Sequence, residues 1–217
     1  MLFRSGGDRQ DPPFVAAMSN GTSGNINNND YSTVRPKRKP YERIREVAEE
    51  CAQAVCQQYK QLVWHDWVPL GMRQRELELG VRKPTPAQLA HAKKVLAEPE
   101  RRDQFPHERN YAQRAIQQQE GPDTVRVMLQ AVRIGDLGIS AIPFEVFSEI
   151  GLELKARCPL KPSFTIELAN GGYGYLPTPE QHKLGGYETW LGTNKVEVQA
   201  SVKIVNALLE MFGELAK

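Results

Sequence analysis

Apolar residues recur at three- and four-residue steps through Tyr41, Ile44, Ala48, Cys51, Val55, Tyr59 and Leu62, behind a proline at position 40. One face of an α-helix collects positions with that spacing, and proline suits the first helical turn, so the pattern predicts an amphipathic helix over 41–62. Residues 62–81 read as extended, with Val63, Val68, Leu70, Met72, Leu77 and Leu79 among polar neighbours and Pro69-Leu70-Gly71 as a bend. Thr85-Pro86 predicts a second helix through Glu98, and a third, weaker one runs from Phe105 to Gln119 until Gly121-Pro122-Asp123 breaks it. Val125, Val127, Leu129 and Val132 alternate roughly with polar residues, Gly135-Asp136 turns the chain, and Leu137 to Ile142 form a buried strand, so a hairpin is predicted here. Pro143 opens a predicted helix to Arg157. Phe164 to Leu168 form a short strand that runs into the glycine-rich Asn170-Gly171-Gly172-Tyr173-Gly174-Tyr175. Val196, Ala200, Val202, Ile204, Val205, Leu208, Leu209 and Phe212 predict a closing helix. Upstream, Pro13 to Met18 is an apolar run of strand length that stops at Ser19 to Asp30, a stretch made almost wholly of turn residues. Strands interleaved with helices predict an α/β fold, and the hairpin makes its sheet mixed, with helices flanking it. There is no internal repeat.

The chain has 217 residues, of which 40% are apolar, enough for one packed domain and part of a second. Its 28 basic and 26 acidic residues leave a net charge of +2, so no global field draws it to nucleic acid or an anionic membrane. Three cysteines, Cys51, Cys56 and Cys158, cannot all pair and contain no CxxC, which predicts free thiols rather than a disulfide framework or a thiolate zinc site. No apolar run approaches the roughly 18 residues that span a bilayer, and the first residues lack the apolar core of a signal peptide. The expectation is a cytoplasmic chain as it stands, or an exported one if sequence precedes Met1.

Two positions can carry chemistry. Glu145 lies two residues after Pro143, where a carboxylate in the first turn of a helix would offset the macrodipole, or where the end of a strand could deliver it to a ligand. In segment 170–190, Tyr173, Tyr175, Tyr187 and Trp190 crowd a glycine-rich loop. They form either an aromatic plug over the core or a surface that a ligand can approach closely.

Val132-Arg133-Ile134-Gly135 followed by strand 137–142 and Pro143-Phe144-Glu145 resembles the segment of the neutral/alkaline ceramidase family in which a glutamate ligates zinc. Asn170 to Glu180 is similar to the family's tyrosine run, whose ligating tyrosine maps to Tyr175, and Met18 to Asn27 is similar to its Gly/Asn active-centre loop. The three motifs stand in the family's order. The resemblance implies a zinc amidohydrolase acting on the amide of an N-acylsphingosine or a related lipid amide. In it Glu145 and Tyr175 are metal ligands, and Asn20, Ser23, Asn25 and Asn27 form the substrate loop. Oxygen donors of this kind suit zinc, and zinc-bound water is the usual nucleophile in such hydrolysis.

The chain departs from the family in three places. The active-centre serine falls on Asn27, the histidine of the tyrosine run is replaced by Gly174, and no His-x-His run is present. His65 sits beside Asp66 on a predicted strand, so the two face opposite ways, and His91 lies on a polar helix face. The family's C-terminal immunoglobulin-like domain has no counterpart either. The expectation is therefore a disordered segment over 1–12 and, over 13–217, the C-terminal half of a larger catalytic domain, inactive alone. Such a half should expose a sheet edge and an apolar face through which it associates. The other reading is a binding or structural module that keeps the fold without metal.

Arg35 to Lys39 is a basic run cancelled by Glu42, Glu46, Glu49 and Glu50. The series Asn25 to Asp30 lacks the glycine and the final glutamate of a calcium loop. Asn20-Gly21-Thr22 is a glycosylation sequon with no secretory context.

Overall fold

The computed structural model describes residues 9, 11, 12, 17–34, 37–99 and 107–217. Most of the expected N-terminal tail, the body of the Pro13–Met18 strand and the start of the third helix at Phe105 lie outside them. The chain divides into two units, residues 1–19 with 27–68 and residues 20–26 with 69–217.

The first unit contains helix α1, Glu42–Tyr59, which starts two residues after Pro40, with Tyr41 as its N-cap. None of its residues is buried, and its apolar stripe, including Ile44, Val55 and Tyr59, faces solvent. The extended reading of 62–81 holds only in part. Residues 62–69 form no strand and leave Val63, Trp64 and Trp67 exposed, so the argument that His65 and Asp66 lie on opposite strand faces does not apply.

The second unit is built on a four-stranded mixed sheet in the order β1 (Leu70–Gly80), β2 (Thr124–Ile134), β3 (Leu137–Ile142), β5 (Ser163–Glu167). The β1–β2 and β2–β3 pairs are antiparallel. The β3–β5 pair is parallel and is linked through α4, Ser148–Arg157. Val127 and Leu129 point inward along β2, as the sequence pattern predicts, but the third inward residue is Ala131, and Val132 faces the other side of the sheet. The inward residues meet the last helix, α6 (Ala200–Leu215, after the short α5, Pro179–Leu184), whose Ile204, Leu208, Met211 and Phe212 are buried, each contributing about 1.5–3 kcal/mol. Val196, expected inside this helix, instead precedes it and bridges to Val81. Gly138 permits the close packing here, since a Cβ on it would stand 3.1 Å from Leu160 and 3.2 Å from the Cys158 thiol and from Phe212.

Between β1 and β2, the chain forms an antiparallel helix pair, α2 (Pro86–Ala97) and α3 (Glu108–Glu120), around Ala92, Val95, Ala112 and Ala115. Thr85 and Gln88 close a capping box at the start of α2. The Arg109 guanidinium donates to the carbonyls of Val95 (2.8 Å) and Glu98 (2.7 Å) at the end of α2, and the Lys83 ammonium donates to those of Gln118 (3.1 Å) and Gly121 (2.8 Å) at the end of α3. Each cation thus satisfies orphan carbonyls and offsets a negative helix end.

The sheet face turned away from α6 carries Leu70, Met72, Val132, Ile134, Ile139, Phe164 and Ile166, and Leu70, Met72, Ile134 and Phe164 are largely exposed. The strand β1 forms one edge of the sheet. No helix among the described residues is long and apolar enough to cross a membrane.

Pro143 does not open a helix. Residues 145 and 146 form a two-residue strand, β4, which pairs in parallel with β6, Tyr175–Leu176, and α4 begins only at Ser148. Glu145 is therefore a strand residue rather than a first-turn carboxylate. The N–H it would have left for a helix is instead bonded to the Gly174 carbonyl at 3.0 Å.

Candidate functional site

The β4–β6 pairing sets Glu145 directly beside Tyr175, although 29 residues separate them and no helical or strand period links them. Four hydrogen bonds hold β6 in place, one of them from Phe147 N–H to the Leu176 carbonyl at 3.2 Å. Glu145 N–H donates to the Gly174 carbonyl, Tyr175 N–H donates to the Thr193 carbonyl at 2.9 Å, and the Asn194 amide donates to the Tyr175 carbonyl at 3.0 Å. Gly174 is required at this crossing, because its φ is 87° and a Cβ would stand 2.3 Å from the Thr193 carbonyl oxygen. The glycine in place of the family's histidine thus serves close approach by the chain itself.

The Tyr175 hydroxyl donates to the Glu145 carboxylate, and the phenol pKa is pushed up to about 12. Burial is the largest cause. The hydrogen bond to Glu145 follows, then the charges of Glu145, Tyr187 and Glu188. Both effects favour the neutral phenol.

The pair lies in the wall of a cavity of about 530 Å³ also lined by Arg114, Gln117, Tyr173, Tyr187 and Lys195. Tyr175 meets Tyr187 edge-on (ring centroids 5.8 Å), Tyr187 meets Trp190 (5.6 Å), and Trp190 meets Tyr111 (5.5 Å). Arg114 lies over the Tyr111 ring. Tyr173, Tyr175 and Tyr187 thus line the cavity, while Tyr187, Trp190 and Tyr111 pack on one another.

Behind the site stands Arg82, half-buried. It donates to the Thr189 carbonyl (2.8 Å) and the Asn194 side-chain oxygen (2.7 Å), with His182 Nδ1 at 3.5 Å. Arg82 thus reaches Tyr175 through Asn194. Burial, and then the Arg82 charge, hold His182 below its ordinary pKa.

Residues 20–26 of the segment expected as the substrate loop belong to the second unit and are anchored within it. Glu167, buried at the end of β5, accepts from Ser23 N–H (3.1 Å), from the Ser23 hydroxyl and from Val146 N–H (2.8 Å). Gly24 N–H donates to the Val146 carbonyl at 2.8 Å, and a Cβ on Gly24 would come within 2.5 Å of the Glu145 carbonyl oxygen. Asn25 accepts from Ser148 N–H at the start of α4 and donates to Glu149, both at 2.8 Å. Asn20 supplies its carbonyl to Glu167 N–H. Asn27 belongs to the other unit, where its side chain closes a local turn with Asn29 N–H. Sequence reasoning did not single out Glu167, Arg82 or Asn194. The one available signal was Glu167 itself, a carboxylate on the inward phase of a short strand.

The donors available to a metal at Glu145 and Tyr175 are one carboxylate and one phenol. No histidine lines the cavity, and the described residues contain no group of three His, Cys, Asp or Glu suited to an ion. Catalytic zinc takes three protein ligands and a water, so these side chains by themselves do not complete a zinc centre. His91 pairs with Glu108 at 3.3 Å on the α2–α3 surface, while His65 and His107 are exposed.

No family model matches the sequence, and no curated protein matches it. Among solved structures, the neutral ceramidase from Pseudomonas aeruginosa superposes with a TM-score of 0.62 and 16% identity, over 94% of this chain and 38% of that one. A second structure, a ceramidase complexed with C2, aligns at a TM-score of 0.43 and 13% identity over 68% of this chain and 30% of its own. This chain thus spans 38% of the length of the ceramidase it superposes on. At such identity the likeness concerns architecture alone: the chain has the fold of part of a neutral ceramidase.

Proposed function

We propose that the chain carries one portion of a ceramidase-type amide hydrolase, incomplete and inactive by itself, whose substrate is an N-acylsphingosine or a related lipid amide. In that reaction, water adds to the acyl carbon, the C–N bond breaks, and the amine leaves with a proton. Glu145 and Tyr175 are the two oxygen donors that this portion contributes to a zinc shell. The observation that carries the reading is their pairing across β4 and β6 in a cavity wall, within a fold like that of neutral ceramidase. The raised phenol pKa keeps Tyr175 neutral beside Glu145 in the absence of a cation.

A second reading, a binding module without metal, is favoured by the two-oxygen donor set and by Asn27 where the family has serine. Competition with a chromophoric zinc chelator separates the two. The hydrolase reading expects weak zinc uptake by the chain that both Glu145→Ala and Tyr175→Phe diminish, and no turnover of N-acylsphingosine by these 217 residues alone. Uptake unchanged by both substitutions, or no uptake at all, leaves the binding module.

A further inference from the structure

The polar groups of the cavity divide unevenly. Glu145 accepts from Tyr175, Tyr187 and Tyr111 hydrogen-bond each other, Thr193 is bonded to the carbonyls of Tyr187 and Trp190, and Gln118 donates to the Arg82 carbonyl. The groups left over are Arg114, Lys195 and Gln117. Neither cation pairs with a carboxylate among the described residues. The stem of Arg114 is fixed by Gly192, on which a Cβ would stand 2.9 Å from it, and its guanidinium is fixed over Tyr111. Both cations are exposed lining residues of the cavity, whereas Glu145 and Tyr175 are half-buried in its wall. Two cations face one lining carboxylate. Glu188 acts on the Tyr175 phenol without lining the cavity.

From this distribution we infer that the cavity takes an amide whose amine half ends in a carboxylate, an N-acyl amino acid, with the anionic end on Arg114 and Lys195 and the amide toward Glu145 and Tyr175. The inference rests on the amide-hydrolase reading for the identity of the scissile group and on the cavity alone for the charge. A guanidinium and an ammonium lining one cavity give charge-assisted hydrogen bonds that a hydroxyl-ended amine cannot match.

Calorimetric titration of the whole chain, without added metal, with N-octanoylglycine and with N-octanoylethanolamine tests it. The two probes share acyl chain and amide and differ in the terminal carboxylate. The glycine conjugate should bind roughly tenfold tighter, and the preference should shrink as salt is raised. It should vanish in Arg114→Gln/Lys195→Gln and persist in Arg114→Lys. Equal binding of the two probes, binding of neither, or a preference that survives the double substitution overturns it. Zinc uptake is not read in this experiment, so failure of the metal-site reading and failure of the anionic-substrate inference remain distinguishable.

Discussion

Glu167→Ala is the perturbation that bears most directly on how the site is assembled. One carboxylate oxygen accepts from both Ser23 N–H and Val146 N–H, and the other accepts from the Ser23 hydroxyl. Alanine removes both acceptor oxygens and with them all three hydrogen bonds. Ser23 is exposed, and its donors can turn to water, but Val146 is fully buried and its N–H is stranded. A stranded buried donor costs about 1–3 kcal/mol, and losing charge-assisted bonds at the loop brings the total to about 2–4 kcal/mol. Glu167→Gln behaves differently. Its carbonyl can serve the two backbone donors while the Ser23 hydroxyl rotates to accept from the amide, so only the ionic component is lost, about 0.5–1.5 kcal/mol. Urea unfolding at unchanged slope measures both costs, and amide exchange at Val146 and Gly24 shows whether the loop detaches. A loss below about 0.5 kcal/mol for alanine, or a glutamine variant as unstable as the alanine one, would refute the role assigned to Glu167.

Gly24→Ala should cost about 1–3 kcal/mol, since the new Cβ meets the Glu145 backbone at 2.5 Å rather than a side chain that could move; denaturant midpoints check this. His182 is held below its ordinary pKa of 6.5, so its contribution to stability is complete above that value and is lost as pH falls through the folded pKa. Urea midpoints at about pH 7.5 and about pH 5.5 should therefore diverge in the wild type and converge in His182→Asn, which keeps an acceptor for Arg82. Ile134→Lys combined with Phe164→Lys, on the half-open sheet face, should reduce self-association in light scattering without lowering the unfolding midpoint.

The elements that the sequence announced are those with a long, single period. β2 alternates over eleven residues, α2 carries its capping box in Thr85 and Gln88, and α6 repeats apolar residues over sixteen. β4 was misread because two residues show no period and Pro143 imitates a helix start. Position alone marked Glu145 and the aromatics of segment 170–190 as candidates, and resemblance then paired Glu145 with Tyr175. Their contact arises from a parallel pairing that no local pattern encodes. The anchoring of the loop was illegible for a related reason. Ser23 and Glu167 lie 144 residues apart, and each reads alone as an ordinary polar residue, one in a turn and one ending a strand. Phe164 and Ile166 pointing outward while Thr165 and Glu167 point inward was the local sign that this strand reverses the usual polarity.

The central claim is that the Tyr175 phenol stands beside the Glu145 carboxylate in the cavity wall and is held neutral there by burial and by that neighbour. Alkaline titration followed by tyrosine ring NMR, with Tyr175→Phe to assign the resonance, tests it directly. The account expects Tyr175 to titrate at about 12, and to move down but stay above the ordinary value of about 10 in Glu145→Gln, where burial persists without the charge. A Tyr175 that titrates at the ordinary value and does not respond to Glu145→Gln would contradict it.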